Sequence, residues 1–103
     1  HPSMVGGITG PMKAALAADP FGTRTAFHGP LDSLPISMAA SIHMDLALPN
    51  FGVQEFYEIT ERMYEIFSGA PVAKDGKLLL GAEGPGIGIG FDEKAAAKYP
   101  PYE

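Results

Sequence analysis

Thr23-Arg24-Thr25-Ala26-Phe27-His28-Gly29-Pro30 is a β-branched and aromatic run that stops at a Gly-Pro corner. It reads as a short strand, Thr23 to Phe27, broken by Gly29-Pro30. Toward the C-terminus the period changes. Ile36, Ala39, Ala40, His43 and Ala47 recur at helical spacing, so a helix is expected from about Pro35 to Leu48, ended by Pro49-Asn50. Phe51 to Phe56 is then a strand candidate, and Tyr57 to Phe67 a helix with Ile59, Met63 and Ile66 on one face. Toward the N-terminus, Met4-Val5 ends an apolar segment at Gly6-Gly7. Thr9 is placed to cap a helix that carries Pro11 in its first turn and runs to Ala18, before Asp19-Pro20.

The order strand, helix, strand, helix implies parallel strands joined by crossovers, hence an α/β fold. Thr23–Phe27 and Phe51–Phe56 are expected to be parallel neighbours, with the helix between them packed outside. Parallel sheets are buried on both faces, so three strands with two raw edges require the rest of a sheet. The chain has 103 residues, whereas a complete barrel of this kind runs to about 250. It opens mid-pattern on His1, without Met, so upstream sequence is expected to be missing and the isolated chain to aggregate.

A second region, residues 68–103, differs from residues 1–67 in being rich in Gly and Pro. Val72 to Lys74 and Lys77 to Leu80 flank Asp75-Gly76, a two-residue hairpin signal. Glu93 to Lys98 is a short helix with Asp92 as its cap. Gly86-x-Gly88-x-Gly90 looks superficially like a phosphate loop, but the spacing is wrong and Asp92-Glu93 would repel a pyrophosphate. A structural turn is the better reading.

Composition excludes several classes. Seven Lys and Arg are scattered through a chain of net charge −5, so no basic patch for nucleic acid or an anionic membrane is expected. The absence of cysteine removes disulfides and thiolate metal sites. The apolar fraction of 46% fits a folded domain. No run is long enough to span a membrane, and a cytoplasmic location is the default expectation.

In parallel barrels, chemistry sits at the C-terminal ends of the strands. That points to the segment before Gly6-Gly7, the His28 corner and the Gln54-Glu55 strand end. A His and a carboxylate facing one mouth suit proton abstraction and return. His1 marks the third strand end. Taken singly, His28 also fits a hydrogen-bonded structural residue, and Glu55 a solvated carboxylate at a helix start. His43, mid-helix on an apolar-leaning face, reads as structural.

Those strand ends carry a family pattern. His1, Ser3, Gly6, Gly7 and Thr9 match His-x-Ser-x-x-Gly-Gly-x-Thr. Ala26-Phe27-His28-Gly29-Pro30-x-Asp32 looks like a seventh-strand motif, and Asn50-Phe51-Gly52-Val53-Gln54-Glu55 like an eighth-strand motif. Together they resemble the mannonate and gluconate dehydratase branch of the enolase superfamily over nearly the whole chain. The resemblance implies the C-terminal portion of a (β/α)₈ barrel. Its tail, with Pro85-Gly86-Ile87-Gly88 and Ala95-Ala96-Ala97-Lys98-Tyr99-Pro100, would return to an N-terminal capping domain.

The resemblance also implies a reaction. A base removes the proton α to a carboxylate, Mg²⁺ holds the enediolate, and a β-hydroxyl leaves with help from an acid. The family's metal ligands are carboxylates on strands three to five, outside this chain. By carry-over His28 is the acid/base residue, Glu55 hydrogen-bonds substrate, His1 takes part in orienting the site, and Asp32 orders the loop after His28. The partners implied are a small sugar acid, the rest of the barrel and, in the complete protein, further copies of itself. His1 stands where racemase-like relatives have Asp, which favours the dehydratase branch. Phe27 replaces the usual Trp and Leu34 the usual Ser. An epimerase, a cycloisomerase or a non-catalytic homologue are the alternatives, and the fragment alone is expected to be inactive.

Overall fold

The computed structural model of the chain describes residues 1–29, 33–80 and 84–100. After a 3₁₀ turn at Pro2–Met4, Gly6 and Gly7 take positive φ, 82° and 106°, and swing the backbone into helix α1, Thr9–Ala18. Thr9 is not its cap. Ile8 already has helical angles and its carbonyl accepts from Met12 N at 3.1 Å, so the helix starts one residue earlier than the capping pattern suggests. Pro11 sits buried in the first turn, where its missing N–H costs no bond. Ala-rich sequence carries the helix to a 3₁₀ turn at Asp19–Phe21, closed by Gly22 at φ 68°.

Helix α2 spans Pro35–Ala47 and is buried on most of its surface. Met44 and Leu48 pack on Ala15 of α1, with Met12 and Phe27 against them. This cluster fastens α1 and α2 to the segment that leads to His28.

The two segments joined by α2 run parallel, as the alternation requires, but they meet in a single bridge, Thr25 to Phe51. Thr25 N donates to Asn50 O at 2.9 Å, and Gly52 N and Val53 N donate to Thr25 O at 3.1 and 3.3 Å. The expected strands Thr23–Phe27 and Phe51–Phe56 are thus shortened to one rung. Beyond it, side chains take over the backbone groups: Gln54 Nε2 donates to Phe27 O at 3.0 Å, and Gly29 N donates to Glu55 Oε2 at 2.9 Å. Behind the rung, Asn50 Nδ2 donates to Ala15 O and Thr23 O, both at 2.9 Å, tying α1 to the same corner.

The last expected helix, Tyr57–Phe67, is shorter than its pattern. Tyr57–Thr60 forms no helix, Thr60 is extended, and α3 covers Glu61–Ile66. Phe67–Ser68 (β1) leaves the helix to pair antiparallel with Gly90–Phe91 (β4), and Asp92 N donates to Ile66 O at 2.9 Å. That pairing takes Phe67 from the end of the expected helix; the other four residues that α3 lacks, Tyr57–Thr60, lie at its start. Between these strands lies the hairpin β2, Val72–Lys74, and β3, Lys77–Leu79. Its turn residues Asp75 and Gly76 both have positive φ, 50° and 71°, as a type I′ turn demands.

Helix α4, Glu93–Ala96, is capped as expected: Asp92 Oδ1 accepts from Lys94 N at 2.9 Å and Ala95 N at 3.0 Å. Its α-helical span is shorter than the expected Glu93–Lys98, and a turn continues through Lys98 N to Ala95 O and Tyr99 N to Ala96 O. Ala95 joins Ile66, Phe67 and Ala70 in a second apolar cluster that docks the tail on α3.

Candidate active site

The parallel bridge sets two chain ends side by side. Four residues beyond it stands Gly29, where a Cβ would collide with the Glu55 carbonyl and approach Met38 Cε to 2.9 Å. Only glycine permits the two segments to come this close. Reading Gly29 merely as a strand breaker missed this role. The signal was available in its place directly after His28.

The close approach brings His28 and Glu55 together. His28 Nε2 lies 3.6 Å from Glu55 Oε2, beyond a hydrogen bond but within ion-pair range if the imidazole is protonated. Both side chains are about half exposed, 55% and 47%, so a ligand in the mouth reaches them. Glu55 Oε2 is steered by the Gly29 N–H, and Gln54 Nε2 also donates to the Glu55 carbonyl at 2.7 Å. The Gly29 N–H thus orients the strand-end carboxylate, while Gln54 holds the Glu55 backbone.

His1 is the third member of the group. Its ring meets that of His28 edge to face, with centroids 5.9 Å apart and planes at 74°. Ser3 Oγ lies 2.6 Å from His1 Nδ1, and Ser33 Oγ 3.3 Å from Nε2. Sequence reasoning gave Ser33 no part, because its contact spans more than thirty positions and has no local pattern. Asp32 lies outside the described residues.

His43 is held elsewhere, its Nε2 3.4 Å from Ile87 O on the tail, which fits its reading as a structural residue. Gly86 and Gly88 have φ 67° and 74°, and Gly88 N donates to Pro85 O at 3.3 Å, a turn rather than an anion cradle. Among the described residues no group of three or more His, Asp or Glu is placed to hold a metal ion. No helix there is long and apolar enough to cross a membrane. The mouth thus offers two imidazoles and one carboxylate, a set suited to moving protons and gripping hydroxyl or carboxylate oxygens.

Comparison with known proteins meets this geometry. The family model for enolase C-terminal domain-like proteins matches residues 1–95. A D-galactonate dehydratase family member from Enterocloster bolteae is 50% identical over 97% of the chain, which covers 24% of that protein. Another from Enterococcus gallinarum is 46% identical over the whole chain and 26% of its own length. The crystal structure of an enolase from Pantoea ananatis with bound D-gluconate and Mg superposes with a TM-score of 0.90 at 41% identity, over 97% of this chain and 24% of that one. A mandelate racemase/muconate lactonizing enzyme from Jannaschia gives a TM-score of 0.79 at 26% identity, over 95% and 24%. The chain spans about a quarter of the length of these relatives. By sequence and by fold, this chain belongs to the enolase C-terminal domain-like family and is an α/β segment of its (β/α)₈ barrel.

Proposed function

We propose that this chain supplies strand ends six to eight of a Mg²⁺-dependent dehydratase acting on an aldonic acid such as mannonate or gluconate. The observation that carries the reading is the pairing of His28 with Glu55 at 3.6 Å across the parallel bridge, with the His1 ring beside them. The names of the relatives, dehydratase family members and a gluconate-bound enolase, support the substrate class.

Among the described residues no group of three or more His, Asp or Glu forms a cage for the metal. As the family resemblance implies, its ligands would come from strands outside this chain. What the chain contributes is proton handling and substrate grip. His28, open to the mouth, exchanges a proton with the substrate as acid or base. Glu55 accepts hydrogen bonds from substrate hydroxyls, with Oε2 steadied by the Gly29 N–H. His1 and Asp32 orient His28 and the loop that follows it. Loss of the α proton and of the β-hydroxyl leaves an enol, which becomes a 2-keto-3-deoxy acid.

The test is to incubate the complete enzyme with Mg²⁺ and a panel of aldonates in D₂O, following keto-acid formation and α-proton exchange. A 2-keto-3-deoxy product from at least one aldonate is the expected result. The likeness to a muconate lactonizing enzyme favours a second reading, an epimerase or cycloisomerase. Exchange without loss of water on every aldonate would select it.

A further inference from the structure

Both ring nitrogens of His1 are engaged. Ser3 approaches Nδ1 and Ser33 approaches Nε2, at 2.6 and 3.3 Å. A neutral imidazole has one N–H and one bare nitrogen, so one hydroxyl donates and the other accepts. With both nitrogens occupied, His1 has no spare site at which to exchange a proton with a substrate. What the two serines do fix is its tautomer and its tilt, and that tilt sets the ring edge to face with His28.

The two anchors differ in kind. Ser3 is a near neighbour in the chain and exposed, so it moves with His1. Ser33 is partly buried and stands directly before the stretch that opens α2, two residues from Pro35, which is fully buried. It is the contact that references His1 to the helix scaffold and to the far side of the His28 corner.

We propose that Ser33 is a positioning residue: its hydroxyl locks the His1 ring, and the locked ring holds His28 in the orientation that proton transfer requires. This rests on the dehydratase reading of His28. Ser33 acts through His1 and touches neither His28 nor Glu55 by any hydrogen bond among the described residues. Cavities of about 310 and 410 Å³ flank Ser33, so a threonine methyl has room there while keeping the hydroxyl.

The complete enzyme, with histidine ring nitrogens labelled with ¹⁵N, decides the matter. For Ser33→Ala we expect kcat to fall roughly ten- to hundredfold, as for a misplaced catalytic group, with KM little changed. The His1 nitrogen signals should move toward averaged tautomers. Ser33→Thr should restore both the rate and the signals. An Ser33→Ala enzyme with normal kcat and unmoved His1 signals would overturn the proposal, as would a folded Ser33→Thr enzyme no better than Ser33→Ala. If the complete protein dehydrated no aldonate, the functional reading would fall, and the His1 signals alone would still decide. Unmoved signals in Ser33→Ala would then sink the role of Ser33, and shifted signals would uphold its hold on His1.

Discussion

Glu55 and Glu65 are two half-exposed carboxylates that face cationic or ionisable partners, yet their surroundings are opposite. Glu65 is saturated. Its Oε1 pairs with the Lys98 ammonium, and its Oε2 accepts from Tyr99 OH at 2.7 Å, while Arg62 sits 5.3 Å from the Tyr99 ring centre. These hydrogen bonds, from Lys98 first and then Tyr99, hold its carboxyl below the usual carboxylate range. Glu55 keeps one oxygen on the Gly29 N–H and stands off from His28 at 3.6 Å; its Oε1 has no hydrogen bond among the described residues. A saturated carboxylate clasps the tail to α3. An incompletely engaged one, set beside an imidazole in an open mouth, has capacity to receive a substrate. A third carboxylate, Asp45, is buried in α2 with neither oxygen bonded among the described residues, and burial raises it from 3.8 to about 6.

The sharpest break of this contrast is at the mouth. In the complete enzyme, His28→Asn should lower turnover of a dehydrated aldonate by about 10²- to 10⁴-fold, the usual worth of a general acid or base, with the urea midpoint unchanged. Near-normal turnover would return His28 to a structural role and remove the reason for leaving Glu55 under-engaged. Glu55→Gln should cost about ten- to hundredfold in kcat/KM, because it weakens charged hydrogen bonds to substrate but still accepts from Gly29 N. Steady-state kinetics that showed no change in either constant would make Glu55 as structural as Glu65.

Asp45 extends the contrast to the interior. Its folded value lies above its unfolded one, so between 3.8 and about 6 the folded state keeps a proton that the unfolded chain has released. Stability contributed by this group therefore falls as pH rises through that window. Asp45→Asn should flatten the decline and stabilise the protein at neutral pH by about 1–3 kcal/mol. Urea midpoints of both forms across that window check it, and parallel curves would show that Asp45 has a charged partner after all.

The smallest effect belongs to the clasp. The Glu65 carboxyl is lowered on folding, so its contribution is present above the usual carboxylate range and is lost as pH falls through the lowered value. Being on the surface and screened, it is expected to matter only for the local protection of the tail. Amide exchange of α4 in Glu65→Gln should quicken while that of α2 stays unchanged. A global change in exchange would mean that the tail is part of the main cooperative unit.

Where the fold was legible, the signals were local. Asp75-Gly76 specified the hairpin because only such residues accept two successive left-handed positions. Asp92 specified the start of α4 through a hydrogen bond two and three residues away. The helical spacing of Ile36, Ala39, Ala40, His43 and Ala47 gave α2 nearly to its observed ends. The candidate site was partly legible as well. His28 and Glu55 stand at the ends of strand candidates, the first read from its β-branched and aromatic run, and the resemblance to a known family marked them together with His1.

What the sequence determined by itself was thus the order of helices, the turns and which residue types stand at the candidate strand ends, all of which depend on neighbours within a few residues. The tertiary structure alone decided the lengths and the partnerships. It ended α3 at Ile66, because Phe67–Ser68 gains ladder bonds with Gly90–Phe91 that no helical pattern foretells. It replaced the later rungs of the parallel pair with side-chain bonds from Gln54 and Glu55. It also chose Ser33, far along the chain, to hold His1. The physical reason is common to all three: each contact becomes favourable only after packing has already met the entropy of closing a long loop, and no local stretch of sequence records that.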